Sequence, residues 1–143
     1  MSTKNKSEEL HANLRLNLEN IRNREGVIGY ILRNSKSASV DLNDPTKIID
    51  YAILSSESFE TAEIASQIFQ LGSMSSIVVE GNDVKVLSLV IDDQRLSIFM
   101  DKKVDHNTIS KELDSTKHNQ RRNVSLDQNS QENQEQNEIE VPL

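Results

Sequence analysis

Cysteine is absent from the 143 residues, so neither disulfides nor thiolate metal sites are available, and the redox compartment cannot be read from thiol usage. Tryptophan is absent too, and the three histidines, His11, His106 and His118, are scattered without a shared i, i+4 spacing that would favour metal ligation. Cations are in the minority: 16 Lys and Arg stand against 23 Asp and Glu, a net charge of −7. A surface that binds nucleic acid needs clustered Lys and Arg to displace counterions, so nucleic acid and anionic membranes are not expected partners. No stretch approaches the roughly 20 apolar residues that cross a bilayer. The start, Met-Ser-Thr-Lys-Asn-Lys-Ser-Glu-Glu, lacks the apolar segment of a secretory signal, and a cytoplasmic location is expected.

What is present centres on Asn43 to Gly72. Asp44 suits a helix N-cap, and Pro45 fits the first turn, where no amide hydrogen is needed. Gly72 can take the left-handed conformation that ends a helix. Between them Ile48, Ile49, Ala52, Ile53, Phe59, Ala62, Ala65, Ile68 and Phe69 suggest an apolar stripe. Asp50, Glu57, Glu60 and Glu63 are expected on the other side, as a solvated face or one that meets a basic patch on a partner. The pattern predicts an amphipathic helix of roughly 40 Å, long enough to reach past its own core.

Around it the chain reads α-β-β-α-β-β-β-α. Residues 1–7 are polar and expected to be disordered. Leu10, Leu14, Leu18 and Ile21 mark a first helix from Ser7 to Asn23. Val27–Arg33 is a strand apolar on both faces, followed across a polar turn by a weaker edge strand, Ser37–Leu42. Ser75–Glu80, Asp83–Ile91 and Arg95–Met100 form a meander. Asp105 caps a last helix through about Leu113. From Ser115 the chain turns to Asn, Gln, Ser and Glu, too polar to offset the entropy of ordering, and is expected to be a disordered tail, 115–143. The expected folded domain, 8–114, is α+β: a five-stranded antiparallel sheet with helices on both faces.

Residues that suggest chemistry have simpler readings. Asp92-Asp93 lies between two strands and reads as a solvated turn rather than an acid-base pair. Ser55, Ser56 and Ser58 have no base nearby in any motif. Gly26-Val-Ile-Gly29 lacks the spacing of a phosphate loop. Arg121-Arg122-Asn123-Val124-Ser125 would suit a basic-directed kinase. No catalytic residue, cofactor site or metal site is expected, and the chain does not read as an enzyme.

Several stretches resemble the Roadblock family of dynein light chains and their prokaryotic relatives. They are Glu25-Gly26-Val27-Ile28 opening the first strand, Asn43-Asp44-Pro45-Thr46 before the helix, and Tyr51, Ala52, Leu54, Ser58, Phe59 and Ala62 along it. Val84 to Asp92 and Leu96-Ser97-Ile98 are similar to the family's closing hairpin. The resemblance implies a dimer, with itself or a related Roadblock chain, through the long helix and the third strand. The residues implied are Ile53, Phe59, Ala62, Phe69, Ser76, Ile77 and Val79. It further implies a non-catalytic scaffold that binds and regulates a small Ras-like GTPase, and the acidic face of Asp50, Glu57, Glu60 and Glu63 is the expected meeting point with a basic patch on it. The alternative reading is a small-molecule-sensing domain of profilin-like or PAS-like shape, marked by a deep apolar pocket.

Overall fold

The computed structural model describes residues 2–114, with side chains from residue 12 onward. The expected tail, the kinase-like Arg121–Ser125 stretch and His118 lie outside the described residues. Helix α1 runs Ser2–Arg22, so it takes in residues expected to be disordered. Residues 2–6 hold no proline or glycine, and nothing in them stops a helix that the apolar stripe nucleates further on.

The chain divides into two compact units. One comprises α1 up to Leu18 and the residues from Asn107 onward. It includes nearly all of the last helix, α3, at 106–114. Leu14, Leu18, Ile109 and Leu113 are all buried, as their helical spacing predicts.

The other unit, Glu19–His106, holds the sheet. Its strands are β1 (Val27–Arg33), β2 (Ala38–Leu42), β3 (Ser76–Glu80), β4 (Val84–Ile91) and β5 (Gln94–Asp101), in the spatial order β2-β1-β5-β4-β3 and antiparallel throughout. The two edges are therefore β2 and β3. Gly29 is required at the first of them, because a Cβ there would stand 2.1 Å from the Asp41 carbonyl oxygen. The β1–β2 turn is closed by the Asn34 side chain, whose Oδ1 accepts from the Lys36 and Ser37 amides. Arg22, in the last turn of α1, ion-pairs with Asp41 of β2 at 3.2 Å and hydrogen-bonds Asn43.

Strands β4 and β5 are buried on both faces. Val86, Ser88, Ser97 and Phe99 share one face, and Leu87, Leu89, Ile91, Leu96, Ile98 and Met100 the other. That is why these strands read as nearly continuous apolar runs rather than alternating ones. On the first face Ile31, Val86 and Phe99 form a core against which Ile28, Leu42, Tyr51 and Leu54 pack. Lys85 and Gln94 are the buried polar residues on the second face, and the Lys85 Nζ lies 3.0 Å from Nδ1 of His106.

Candidate functional site: the outward face of the long helix

Helix α2, Ile48–Ile68, follows a short 3-10 turn, Pro45–Lys47. Asp44 caps that turn: one carboxylate oxygen accepts from the Thr46 hydroxyl at 2.5 Å and the Thr46 amide at 3.1 Å. The Thr46 hydroxyl, then the Thr46 amide and the nearby Lys47 charge, hold the Asp44 carboxyl below its ordinary pKa. At the other end Gln70 closes the helix in the left-handed region, with φ +54°, and Gly72 two residues on is left-handed as well, with φ +80°. The Leu71 amide donates to the Ser66 carbonyl at 2.9 Å and the Gln70 amide to the Gln67 carbonyl at 3.4 Å, the paired bonds of a Schellman ending. Stopping at Ile68 makes the helix roughly 30 Å long, shorter than the sequence pattern suggests.

The face that α2 turns to the sheet mixes small residues with Tyr51, Leu54 and Phe59. Ser55, Ser58, Phe59, Ala62 and Ser66 are buried. Small side chains allow a close approach, and hydroxyls can be buried there because they are paired. Ser55 Oγ lies 2.7 Å from Ser97 Oγ, which lies 2.8 Å from Ser88 Oγ, and the Ser58 hydroxyl donates to the Leu54 carbonyl. Beside this chain Tyr51 packs on Phe99, ring centroids 4.6 Å apart. Phe59 is flanked by two guanidinium groups, Arg33 at 5.8 Å and Arg95 at 5.3 Å from its ring centre. These arginines are direct cross-strand partners, a repulsive arrangement that Glu63 offsets by accepting from Arg95 at 2.6 Å.

The outward face departs from the expected amphipathicity, because four large isoleucines are exposed on it among the polar residues. Ile49, Ile53, Ile64 and Ile68 are 69%, 57%, 50% and 68% exposed. At 100° per residue they fall with Glu57 and Glu60 inside an arc of about 100°. Large apolar residues therefore lie on both sides of the helix, Tyr51, Leu54 and Phe59 toward the sheet and four isoleucines outward. A helix of that kind needs cover on both. Asp50 and Gln67 are exposed in the same arc, so the outward face holds four isoleucines and four polar residues, symmetric in sequence about the point midway between Ser58 and Phe59: Ile49 matches Ile68, Asp50 matches Gln67, Ile53 matches Ile64, and Glu57 matches Glu60. Exposed Phe69 and Leu71 extend the surface past the helix.

Of the residues expected at a dimer interface, Phe59 and Ala62 are 1% and 4% exposed and belong to the packing of α2 on the sheet. They correct the expectation: Phe59 fills the space between Arg33 and Arg95. Ile53, Phe69, Ser76 and Val79 are exposed and Ile77 is half-buried. Ser76, Ile77 and Val79 lie on β3, beside whose outer edge there is no strand among the described residues. Of the expected acidic face, all four carboxylates are exposed. Glu63 is taken up by Arg95, whereas Glu57 and Glu60 sit among the isoleucines rather than opposite them. The signal that locates this surface is the pair of Ile-x-x-x-Ile steps, 49–53 and 64–68, set symmetrically around two glutamates.

Among the described residues no three His, Asp or Glu gather in a way that would hold a metal ion, and no helix is long and apolar enough to cross a membrane. No protein-family sequence model matches the chain, and no curated protein sequence does. Its three-dimensional likeness is clearer. The chain is similar to the crystal structure of a Roadblock/LC7 domain from Streptomyces avermitilis, with a TM-score of 0.59 over 77% of this chain and 96% of that one, at 16% identity. The fold is the Roadblock fold. MglC from Myxococcus xanthus is a more distant solved structure, with a TM-score of 0.44 and 19% identity over 78% of this chain and 98% of that one. In Roadblock terms, the surface described above is the outward side of the long helix together with the free edge of the third strand.

Proposed function

We propose that this protein is a non-catalytic interaction module that pairs through α2 and β3 with a second Roadblock-type domain, the pair serving as a platform that binds and regulates a small GTPase or scaffolds a complex. The observation that carries the reading is the outward row of four isoleucines on a helix whose other face is already packed. Four exposed isoleucines in one row lose a hydrophobic contribution of about 1.5–3 kcal/mol each that burial would supply, and the symmetric spacing suits a twofold axis. In such an arrangement the two helices run antiparallel, Ile49 meets Ile68 and Ile53 meets Ile64 of the other domain. The free edges of β3 then lie where they can continue the sheet. A stable contact of this kind hides about 1,600 Å² in total. The acidic side chains Asp50, Glu57, Glu60 and Glu63 would speed encounter with a basic partner more than they strengthen the complex.

The test is mass in solution by light scattering, on the full chain and on Ile53→Glu/Ile64→Glu. A double variant that stays folded by circular dichroism but loses a wild-type association supports the reading. A wild type that is monomeric at tens of micromolar, alone and with candidate Roadblock partners, refutes it. Binding to nucleotide-loaded small GTPases, lost in the same variant, is the expected second result.

A further inference from the structure

The symmetry that brings isoleucine onto isoleucine also brings glutamate onto glutamate. About the midpoint between Ser58 and Phe59, Glu57 of one helix faces Glu60 of an identical antiparallel helix, and Glu60 faces Glu57. Four carboxylates then meet at the centre of the contact, where water is most excluded and like charges are most costly. Nothing on the same unit neutralises them. Arg95, whose side chain reaches the flank of α2, already holds Glu63 at 2.6 Å, and Lys47 lies at the far N-terminal end of the helix. The ends of the surface are self-complementary and its centre is not.

We propose that Glu57 and Glu60 are a pairing filter. They weaken pairing of the chain with its own copy and favour a different Roadblock-type domain whose long helix carries Lys or Arg at its centre between apolar residues. The inference rests on the pairing surface proposed above. Apolar ends supply affinity and the charged centre decides with whom, the usual division between attraction and rejection in selective helix pairs.

Charge reversal at one position tests this. Because position 57 meets position 60, Glu60→Lys alone converts the four carboxylates into two Glu-Lys pairs within a self-paired dimer. It should tighten self-association about tenfold at low ionic strength, the gap narrowing as salt is added. Glu57→Lys/Glu60→Lys puts four ammonium groups at the centre. It should self-associate no better than the wild type, yet form a one-to-one complex when mixed with it, seen as a mass shift in sedimentation or light scattering. A wild-type homodimer as tight as that of Glu60→Lys, with no preference for the mixed pair, overturns the filter. If Ile53→Glu/Ile64→Glu still disrupts that homodimer, the pairing surface stands and only the filter falls. If those isoleucine substitutions change neither homodimer nor mixed complex, the pairing surface itself is refuted.

Discussion

Replacing Ser97 by alanine tests how α2 is held on the sheet. Ser97 is fully buried and joins Ser55 of α2 to Ser88 of β4 through hydroxyl contacts of 2.7 and 2.8 Å. Alanine removes both hydrogen bonds, each with a net contribution of about 1 kcal/mol. The two orphaned hydroxyls fare differently. Ser55 is in a helix and can turn to the carbonyl four residues back. Ser88 sits in a strand bonded on both sides, and its hydroxyl is left buried without that partner. The expected cost is about 2 kcal/mol, read by urea unfolding at one fixed protein concentration as a lower midpoint with an unchanged slope. Ser55→Ala, Ser97→Ala and their combination form a cycle whose coupling should be about 1 kcal/mol. A Ser97→Ala protein within about 0.3 kcal/mol of wild type and a coupling near zero would refute the claim that these hydroxyls hold α2 on the sheet.

Gly29→Ala forces a Cβ to within 2.1 Å of the Asp41 oxygen and should cost about 3 kcal/mol or abolish the β1–β2 pairing, seen as fast amide exchange in β2. Gln70→Gly should do the opposite: it relieves a left-handed glutamine at φ +54° and should raise stability by about 0.5–1 kcal/mol in thermal unfolding. Asp44 ionises at lower pH when folded, so its capping contribution is complete above the ordinary carboxyl pKa of 3.8 and is lost as pH falls through the lower folded value. Amide exchange at Thr46 should therefore rise in that acid range, and Asp44→Asn should shrink the pH dependence.

The sequence of elements, both edges and the burial of β4 and β5 on two faces were legible because apolar runs, turn residues and Gly26 to Gly29 all point one way, whereas the placing of β5 beside β1 is a long-range pairing with no local signal. The orientation of α2 was not. Periodicity locates an inward face when one side of a helix is apolar and the other polar, but here serines face the sheet and isoleucines face out. Hydropathy puts Phe59 and Ala62, which face the sheet, in one stripe with Ile49, Ile53 and Ile68, which face out. Phe59 and Ala62 look like partner contacts for the same reason, and the paired hydroxyls of Ser55, Ser88 and Ser97 explain how serine is buried beside Tyr51, Leu54 and Phe59. The helix end also misleads: the Schellman ending closes on Gln70, where glycine two residues later is the stronger sequence signal.

The inversion of α2 itself bears on function. A monomeric domain gains nothing by putting small hydroxyl-bearing residues against its sheet and four isoleucines in water, since exchanging the two sets would bury more apolar area and leave no hydroxyl to satisfy. Stability of the isolated unit would therefore rise with a conventional amphipathic helix. A sequence that forgoes this gain fits a helix whose outer side is covered in the working assembly. Within that cover Glu57 and Glu60 are the residues that cost most, because they sit at the centre of the apolar row rather than at its rim. An uncovered surface would leave them solvated and inert, so substituting them would change nothing but solubility. A covered one makes them decisive for partner choice. The Glu60→Lys measurement separates these cases: tighter self-association requires both that the face is buried against another helix and that its centre is charged against a copy of itself.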